Sequence, residues 1–507
     1  MENLRSHGVN PLTAIDFYKA DHRRQYPAGT EYVYSNFTPR SDRLFTTGLK
    51  DFDHKVVVWG IQGFLKWFLI DCWDREFFSQ PKEEVCARYK RRMDNALGPD
   101  MVDTKHIEEL HDHGYMPLRI KALPEGSRCP IGVPMLTIRN TEPKFFWLVN
   151  YLETILSTEL WKPMTTATIA REYRRLFDLY AERTGGDPNF TVLQGHDFST
   201  RGMSGIGDAS ASGSGHLLSF IGTDTVAAID YVETYYNANS DEGPVGVSVP
   251  ATEHSVMCMG TKEDEIETFR RLINELYPTG IVSIVSDTWD FWKVLTQYAP
   301  ALKDEIMARQ PNALGLNKVV FRPDSGDPVK IIVGDPDAPW GTPEHKGAVQ
   351  CLWETFRGTI TDKGYRKLDE HVGLIYGDSI TIKRARQILA GLEQKGFSSD
   401  NVVFGIGSYT YQFLTRDTFG FAMKATWGQV NGEARDIYKD PKTDKGDKKS
   451  ARGLLYVGRS NSEGTDYYLR DQVSIEDEHE GELQTVFHNG ELKNEQKFED
   501  IRQRLYS

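Results

Sequence analysis

Short runs of β-forming residues recur through the middle of the chain, and each run stops abruptly at Gly, Asp, His or Arg. Amphipathic helical patterns lie between several of them, at residues 262–277, 289–309 and 380–395. Strands that alternate with helices pair in parallel, and the carboxyl ends of such strands form the polar mouth of a (β/α) barrel. One polar strand end carries little information, but a series of them favours a barrel. The seven runs begin at Phe190, Leu217, Val245, Ile281, Lys318, Val372 and Asn401.

The run at residues 318–328, KVVFRPDSGDP, has the chemistry to hold a phosphorylated sugar. Its apolar part ends at Arg322, and Asp324 and Asp327 follow on a turn rich in Pro and Gly. A guanidinium binds phosphate oxygens, while carboxylates accept hydrogen bonds from sugar hydroxyls or help to bind Mg²⁺. The alternative is a capped loop with a surface ion pair, and this run alone does not decide between the two.

Composition limits the location and the partners of the protein. The net charge of −13 argues against nucleic acid as a main partner. Five scattered cysteines without a C-x-x-C pair are typical of a reducing compartment and of a chain without disulfides or structural zinc. The N-terminus has no apolar leader, and polar residues interrupt the most apolar stretch, residues 56–73. We therefore expect a soluble, cytoplasmic protein with no nucleic-acid or membrane partner.

The chain is long enough for two domains, since its 507 residues exceed one ordinary domain. The barrel is expected to occupy residues 166–409. Residues 1–165 and 410–507 are expected to form together a discontinuous β-rich domain, with two apolar helices near the junction at residues 145–161 and 165–184. The predicted fold class is α/β, an irregular (β/α) barrel of about seven strands with a second, α+β domain.

Two further patterns have a plain structural interpretation. Residues 205–220 are rich in Gly, Ser and Ala, as phosphate-binding loops are, but they lack the G-K-[ST] of a Walker A sequence, so close packing is the better interpretation. His106, His111 and His113 have a spacing that fits no common metal site, and solvated histidines are favoured.

Seven motifs together indicate a family. They are HDFSTRG, GTDT, SVPATEH, VSDT, RPDSGDP, the GD at Gly377 and the LTRD at Leu414. In order and spacing they resemble the nicotinamide phosphoribosyltransferases, of type II, over nearly the whole chain. The resemblance implies an irregular α/β barrel with a β-rich domain, and a homodimer with two active sites at the subunit interface. It implies transfer of phosphoribose from 5-phosphoribosyl-1-pyrophosphate to nicotinamide for NAD biosynthesis, with Mg²⁺ required and ATP as an optional co-substrate.

The resemblance assigns a group of residues to the pyridine ring. Phe198 matches the aromatic side chain on which the ring stacks, and Tyr18 of the partner subunit matches the second face of that sandwich. Arg201 lies beside the ring and its carboxamide, and Ser248 is expected to bond the carboxamide. Asp224 matches the carboxylate that accepts from the amide NH₂. Because a carboxylate there repels nicotinate, Asp224 implies selection of the amide; on residue type alone it is equally a turn or N-cap Asp.

Other matches assign the phosphoribosyl and phosphate groups. Asp287 and Asp324 are expected to position hydrated Mg²⁺ on the pyrophosphate, and both count as catalytic. The pyridine nitrogen needs no deprotonation, so no general base is required. Cations expected to reach the partner subunit's phosphates are Arg40, Arg416 and Lys424, with Lys439 as a weaker candidate. Residues expected to hold the phosphoribosyl group and its phosphates are Arg322, Asp324, Gly377, Asp378, Gly407 and Ser408.

His254, in ATEH, matches the histidine that the family phosphorylates with ATP, and the adjacent Glu253 is expected to orient it. Without the resemblance, a structural histidine is the favoured interpretation. The sequence departs from the animal members of the family at the phosphate loop, where Ser408 and Tyr409 replace glycines, and at Ala422, where a phosphate-binding Ser is expected. A positive φ at Ser408 or Tyr409 would be costly.

Three alternatives stay open. Nicotinate phosphoribosyltransferases share the architecture and the chemistry, and Asp224 argues against them. A barrel aldolase or isomerase acting on phosphosugars is disfavoured, since no Lys ends a barrel strand where a Schiff base would form. A non-catalytic nucleotide-binding homologue is disfavoured because Phe198, Asp324 and His254 are all present.

Overall fold

The computed structural model describes residues 8–45, 52–439, 451–460 and 466–507. Its centre is a six-stranded sheet in which every neighbouring pair of strands is parallel. The strands are short and mostly buried, and four of the six are rich in Val and Ile, as expected where helices cover a parallel sheet. The predicted α/β class is confirmed. In spatial order the strands are Gly222–Thr223, Gly195–Asp197, Val403–Ile406, Val372–Tyr376, Val319–Arg322 and Val282–Val285.

The remaining predicted run, from Val245, forms isolated bridges in place of a strand. Val247 bridges to Gly222 on one edge of the sheet, and Ala251 bridges to Ser283 on the other, both in parallel. Pro250 lacks an N–H and donates nothing to a ladder, which accounts for the break in pairing. The segment nevertheless connects the two edge strands, so the ring of the barrel is closed by six strands and one irregular segment.

Helices flank the barrel where the sequence patterns place them. The pattern at 262–277 folds as Glu265–Arg271 followed by a π-helical turn, Leu272–Leu276. The pattern at 289–309 is divided into Phe291–Lys293, Val294–Tyr298, Ala299–Ala301 and Lys303–Met307. The other helices of this block are Thr191–Gln194, Ile206–His216, Val226–Tyr236, His254–Met259, Pro328–Val333, Pro343–Lys346, Ala348–Phe356, Ile382–Gln394 and Ser408–Tyr411.

One long helix, Glu153–Thr184, corrects the prediction of two separate helices at its position. Pro163 lies inside it, and a proline removes one helical hydrogen bond without always ending a helix. The helix continues because it is buried on both sides of this point: Leu156 and Leu160 pack into one hydrophobic core, and Tyr173 and Phe177 into the other.

The Gly-, Ser- and Ala-rich segment packs closely against this long helix. It folds as the helix Ile206–His216. A Cβ at Gly215 would lie 2.8 Å from the Pro163 carbonyl oxygen and 3.0 Å from the Ala167 nitrogen, so no larger residue fits. The segment therefore acts through close packing, as the sequence indicates.

The two ends of the chain meet in one antiparallel sheet of seven strands. The N-terminal strand Thr30–Thr38 pairs with Ala422–Val430 on one side and with Leu136–Asn140 on the other. Leu118–Ala122 pairs in turn with Gln484–His488. The outer strands are Glu433–Asp436 and Glu491–Leu492, and three separate two-stranded ladders are Lys55–Val57 with Arg128–Pro130, Gly358–Ile360 with Arg366–Leu368, and Leu454–Arg459 with Tyr467–Val473.

The apolar stretch at residues 56–73 lies in the core of this half. It begins in the strand Lys55–Val57 and continues as the helix Ile61–Phe64 and the π-helix Leu65–Cys72. Among the described helices, none is long and apolar enough to cross a membrane. The remaining helices of this half are His22–Gln25, Asp74–Phe78, Lys82–Leu97, Lys105–His113, Leu148–Tyr151, Ile475–His479 and Phe498–Tyr506, with 3₁₀ turns at Pro11–Thr13, Phe17–Asp21 and Pro143–Phe145.

We propose that residues 1–165 with 410–507 form one domain and residues 166–409 the other. The shared antiparallel sheet and two separate hydrophobic cores support this division. The boundary at residue 165 falls inside the long helix, which contributes to both cores. The helix Val226–Tyr236, from the barrel block, also buries Val232 and Tyr236 in the core of the β-rich half, so the two halves are closely joined.

Candidate active site

The polar ends of the parallel strands meet at one end of the barrel, here called the mouth. Phe198 directly follows its strand, as Asp224 and Gly377 follow theirs. Arg322 is the last residue of its strand, and Asp287 lies two residues beyond another. Because these strands are parallel, their carboxyl ends share one edge. The structure therefore brings these five residues together, two of them predicted for the ring and three for the phosphoribosyl group or its pyrophosphate.

Phe198 has its place because two neighbouring strand ends carry glycines. A Cβ at Gly405 would lie 2.4 Å from Cδ2 of the Phe198 ring, and one at Gly377 would lie 3.4 Å from Cε2. The Phe198 amide donates to the Ile406 carbonyl at 3.0 Å. The ring is half-buried and lines the barrel cavity, and the His196 ring is tilted against it with centroids 4.9 Å apart.

Asp224 is held by two donors at the same carboxylate oxygen. His196 Nε2 lies 2.9 Å from Oδ1, and the Ser248 hydroxyl donates to Oδ1 at 2.7 Å. Partial burial by itself raises the pKa of Asp224, but the hydrogen bonds from His196 and Ser248 and the charge of Arg322 outweigh it and hold the pKa below its ordinary value. Asp224 is thus an ionised acceptor at the mouth.

Two residues bond Asp224 here, one of them predicted for the site and one not. Ser248, expected to bond a carboxamide, bonds Asp224. His196 is absent from the predicted site. The signal that could have found it is its place two residues before Phe198, because alternate residues of a strand lie on the same side.

Asp287 connects three parts of the mouth. Its Oδ2 accepts hydrogen bonds from the Asp324 amide at 2.8 Å and from the Ser325 hydroxyl at 2.6 Å. Its Oδ1 lies 3.3 Å from Nε2 of His254. The Asp287 side chain is only 4% exposed, whereas that of His254 is 49% exposed. A buried carboxylate therefore contacts an imidazole that is accessible to solvent.

Arg322 places a positive charge at the mouth and has one N–H group without a hydrogen-bond partner among the described residues. Its Nη2 donates to the Thr252 carbonyl at 2.5 Å, while its buried Nε has no hydrogen-bond partner among the described residues. Burial lowers the pKa of Arg322, and the neighbouring Asp324, Asp224 and Asp287 oppose that effect. An unpaired guanidinium donor beside carboxylates suits a ligand that carries both phosphate and hydroxyl groups.

The loop at Asp324 needs the adjacent Gly377. A Cβ at Gly377 would lie 2.6 Å from Oδ1 of Asp324. The Tyr376 hydroxyl bonds the Ser325 and Gly326 carbonyls, each at 2.9 Å, and so fixes the loop to the neighbouring strand. Asp378 follows as an exposed residue at the same edge.

The candidate phosphate loop begins a short helix. Ser408 and Tyr409 lie in the helix Ser408–Tyr411 and are not among the residues with positive φ. The replacement of glycine therefore introduces no backbone strain. A Cβ at Gly202 would lie 2.1 Å from Oγ of Ser408, so this loop touches the turn Thr200–Gly202, which carries the exposed Arg201.

A buried lysine connects the loop that follows Arg201 with the loop that follows Ser408. Lys162, on the long helix, bonds Asp208 Oδ2 at 2.7 Å and also bonds the Gln412 side chain. Asp208 Oδ2 accepts from the Ser204 amide at 2.9 Å, and Gln412 donates to the Ser204 hydroxyl at 2.6 Å. The four side chains join the loop beyond Arg201 to the loop beyond Ser408.

Several predicted residues lie apart from the mouth. Arg40, Lys424 and Lys439 line a second cavity of about 810 Å³ on the β-rich half, next to Ala422. Burial and the charges of Arg40, Lys439 and Arg416 lower the pKa of Lys424, although Glu153 opposes them. Tyr18 is 59% exposed. None of Tyr18, Arg40, Arg416 and Lys424 lines the barrel cavity of the same chain.

The barrel cavity has a volume of about 700 Å³ and extends from the mouth along the barrel. Phe198, Asp224 and Arg322 line its mouth, and Lys318 and Asp369 line its far part. Burial lowers the pKa of Lys318 to about 8. The walls between are mainly apolar, as in most small-molecule sites.

The mouth can accommodate a hydrated cation, although the described residues contain no group of three or more His, Cys, Asp or Glu arranged to hold a metal. Asp287 Oδ1 is buried and accepts no hydrogen bond from the described residues. Asp324 lies on the adjoining loop. Two carboxylates and few protein ligands suit Mg²⁺, which usually keeps several of its waters.

Family profiles match most of the chain. That of the nicotinate phosphoribosyltransferase (NAPRTase) family matches residues 193–491, and that of the nicotinamide phosphoribosyltransferase N-terminal domain matches residues 10–93. A nicotinamide phosphoribosyltransferase of Acinetobacter baylyi is 65% identical over 497 residues, which are 98% of this chain and 97% of that one. One of Xanthomonas campestris is 33% identical over 97% of each.

Solved structures share the fold at low identity. A nicotinate-nucleotide pyrophosphorylase of Pyrococcus furiosus superposes with a TM-score of 0.56 and 15% identity, over 100% of this chain and 97% of that one. Human nicotinic acid phosphoribosyltransferase superposes with a TM-score of 0.53 and 15% identity, over 97% and 92%. These likenesses support the barrel architecture.

Proposed function

The chain belongs to the nicotinamide phosphoribosyltransferase family, and on that basis we propose how its barrel mouth carries out the transfer of phosphoribose from 5-phosphoribosyl-1-pyrophosphate to nicotinamide. The products are nicotinamide mononucleotide and pyrophosphate, and the reaction serves NAD biosynthesis. The observation that supports nicotinamide as the acceptor is the ionised Asp224 beside Phe198.

The acceptor binds as an amide in this proposal. The pyridine ring stacks on Phe198, which contributes on the order of 1 kcal/mol beyond burial and fixes the plane of the ring. Asp224 accepts a hydrogen bond from the carboxamide NH₂. Nicotinate would bring a second carboxylate against it, and like charges in a partly buried site disfavour binding. The runner-up, transfer to nicotinate, therefore requires a neutral Asp224.

The phosphoribosyl donor is held by Arg322 and by Asp324. The bond from C1 of the ribose to the pyrophosphate oxygen breaks as the pyridine nitrogen bonds to C1, through a state with oxocarbenium character. Asp324 favours that positive charge, and Arg322 stabilises the leaving pyrophosphate. When bound, Mg²⁺ held through water by Asp287 and Asp324 would neutralise part of the pyrophosphate charge.

We propose that His254 couples ATP hydrolysis to this transfer. Asp287 faces Nε2, so Nδ1 is the nitrogen left to act as nucleophile. Nδ1 attacks the γ-phosphorus of ATP, the bond to ADP breaks, and a phosphohistidine forms; water later cleaves the P–N bond and releases phosphate. The half-exposed imidazole supports this role, because ATP can reach it from solvent.

We also propose a homodimer with shared active sites. Tyr18, Arg40 and Lys424 lie away from the mouth of their own chain, where they are available to a partner's mouth. Asp324→Ala and Arg40→Ala should each abolish activity. An equimolar mixture that has exchanged subunits should recover about a quarter of it, since about half of the dimers are then mixed and one of the two sites in each mixed dimer is intact. Inactive mixtures would rule out shared sites, as would active monomers in light scattering at high dilution.

The reaction itself is tested with purified protein, nicotinamide and the donor. We expect equal amounts of nicotinamide mononucleotide and pyrophosphate by mass spectrometry and a coupled phosphate assay. Chelation of Mg²⁺ should stop both, and Asp324→Ala should retain the fold while losing turnover. A folded wild-type protein that forms neither product would reject the proposal.

All five cysteines are free, which supports a cytoplasmic location.

A further inference from the structure

We propose that His196 is a positioning residue that determines whether the site selects an amide or an acid. It acts through Asp224, and the proposal rests on the proposed function. His196 is buried and lies one residue before the end of its strand, so the barrel fixes its place. Its Nε2 contacts Asp224 Oδ1 at 2.9 Å.

The Gly222 backbone and the Phe198 ring limit how the His196 ring can turn. A Cβ at Gly222 would lie 2.9 Å from its Nδ1, so the Gly222 backbone lies beside one part of the ring. The Phe198 ring lies on another side, with centroids 4.9 Å apart. His196 therefore couples the acceptor of the amide to the aromatic ring on which the pyridine stacks.

The two donors to Asp224 leave a defined acceptor. His196 and Ser248 both bond Oδ1, so Oδ2 is left to accept from the substrate's NH₂. They also stabilise the charged form of the carboxylate, which burial alone would disfavour. A neutral Asp224 could donate a hydrogen bond to nicotinate, whereas an ionised one repels it. Loss of the His196 donor thus shifts preference toward the acid.

Of the two donors, His196 has the greater effect in this proposal. Ser248 is exposed, and its hydroxyl can be replaced by water. His196 is buried on its strand, so its Nε2 is held beside Asp224 more firmly than an exposed hydroxyl is. Arg322 adds a positive charge near Asp224, and its own hydrogen bond to the Thr252 carbonyl keeps it in position.

The test compares kcat/KM for nicotinamide and for nicotinate in wild type and variants. His196→Leu removes the donor, and His196→Gln keeps an N–H at a similar reach. We expect the Leu variant to lower the ratio of the two kcat/KM values at least about tenfold, near 1.4 kcal/mol. The change should lie in KM for nicotinamide, with KM for the phosphoribosyl donor unchanged. The Gln variant should restore most of the ratio.

The dependence of activity on pH distinguishes a loss of positioning of Asp224 from a general loss of activity. In the Leu variant, nicotinate use should rise as pH falls, since Asp224 then protonates more readily. His106→Gln is the matched control, because this buried histidine lies in the β-rich half, against Trp147. An unchanged ratio in a folded Leu variant, or equal losses for both bases, would overturn the proposal.

A second variant and a binding measurement test the role of His196 if the first variant does not fold or the wild type is inactive. If the Leu variant does not fold, His196→Asn replaces it, since its shorter side chain does not reach Oδ1. If the wild type forms no mononucleotide, the proposed function fails, and calorimetric binding of nicotinamide and nicotinate alone tests His196. Preference for nicotinamide that is lost in the variant supports the proposal, and equal preference in both proteins contradicts it.

Discussion

Nε2 of His254 lies 3.3 Å from Oδ1 of Asp287, whose other oxygen is held by the Asp324 amide and the Ser325 hydroxyl. One buried carboxylate thus joins the proposed phosphoacceptor to the loop proposed to hold phosphoribose. A single side chain therefore links His254 to the loop that carries Asp324.

From this contact we predict that substitutions can separate ATP hydrolysis from the synthesis of the mononucleotide. His254→Ala should abolish phosphate release from ATP while leaving synthesis without ATP measurable. Asp287→Asn should impair both, because it also loosens the Asp324 loop. The measurement is phosphate released per mononucleotide formed, with the exposed His488→Ala as the control. ATP hydrolysis by His254→Ala at the wild-type rate would exclude the phosphohistidine.

Gly405→Ala should weaken the binding of nicotinamide more than the binding of the phosphoribosyl donor. Its new Cβ would lie 2.4 Å from the Phe198 ring and 2.9 Å from the Gly377 backbone, so the ring must move. Because a small displacement of a stacking group is costly, we expect KM for nicotinamide to rise about tenfold. Gly243→Ala, with nothing within 4 Å of its Cβ, is the control. An unchanged KM would show that Phe198 does not set the ring plane.

Lys162→Met should disturb the phosphate side of the site. The Lys162 side chain is 7% exposed, and its loss leaves Asp208 without its charged partner. We expect the free energy of unfolding to fall by about 1–3 kcal/mol and KM for the phosphoribosyl donor to rise. Chemical denaturation and steady-state kinetics measure the two effects.

The double variant Lys162→Met with Asp208→Asn should recover part of the stability, because no lone charge remains. It should not recover KM, since Ser204 and Gln412 are still released. Recovery of both would mean that Lys162 acts through charge alone and does not position the loops.

His106 predicts acid sensitivity of the β-rich half. The sequence favours a solvated histidine, but His106 is buried against Trp147, with Nδ1 3.6 Å from Asp103. Burial, and secondarily the charge of Arg23, lower its pKa to about 4. The unfolded chain, with a pKa of about 6.5, then binds more protons between these values, so stability is full above about pH 6.5 and falls as pH drops toward 4.

His106→Gln should flatten that part of the profile. The difference between wild type and variant in the free energy of unfolding should change by on the order of 3 kcal/mol across this range. Comparing the two proteins cancels the opposite contribution of Glu125, whose pKa burial raises to about 7. Parallel profiles would show that His106 does not cause the effect.

The barrel and its mouth could be predicted because the evidence for them is local. β-Branched runs that end in polar residues place Phe198, Asp224 and Arg322 in the sequence before any packing is known. The seventh run pairs through isolated bridges because of Pro250, and the long helix passes through Pro163 because two cores bury its sides. Both outcomes depend on tertiary contacts, which local propensity does not report.

The inner parts of the site were harder to predict for the same reason. His196 and Ser248 bond Asp224 from different strands or segments, a relationship that only the closed barrel creates. Lys162 and the side chains that bond around it come from the long helix and from two loops that are far apart in the chain. Roles assigned to Tyr18 and Arg40 remain predictions about a partner subunit.

Whether this site transfers phosphoribose to an amide is decided by the identity of the product in a competition. The protein receives phosphoribosyl pyrophosphate and Mg²⁺ with equal amounts of nicotinamide and nicotinate, and mass spectrometry, which resolves amide from acid, identifies the mononucleotide. We predict nicotinamide mononucleotide almost alone. Formation of the acid mononucleotide in comparable or greater amount would contradict the role of Asp224 and of the residues that hold it.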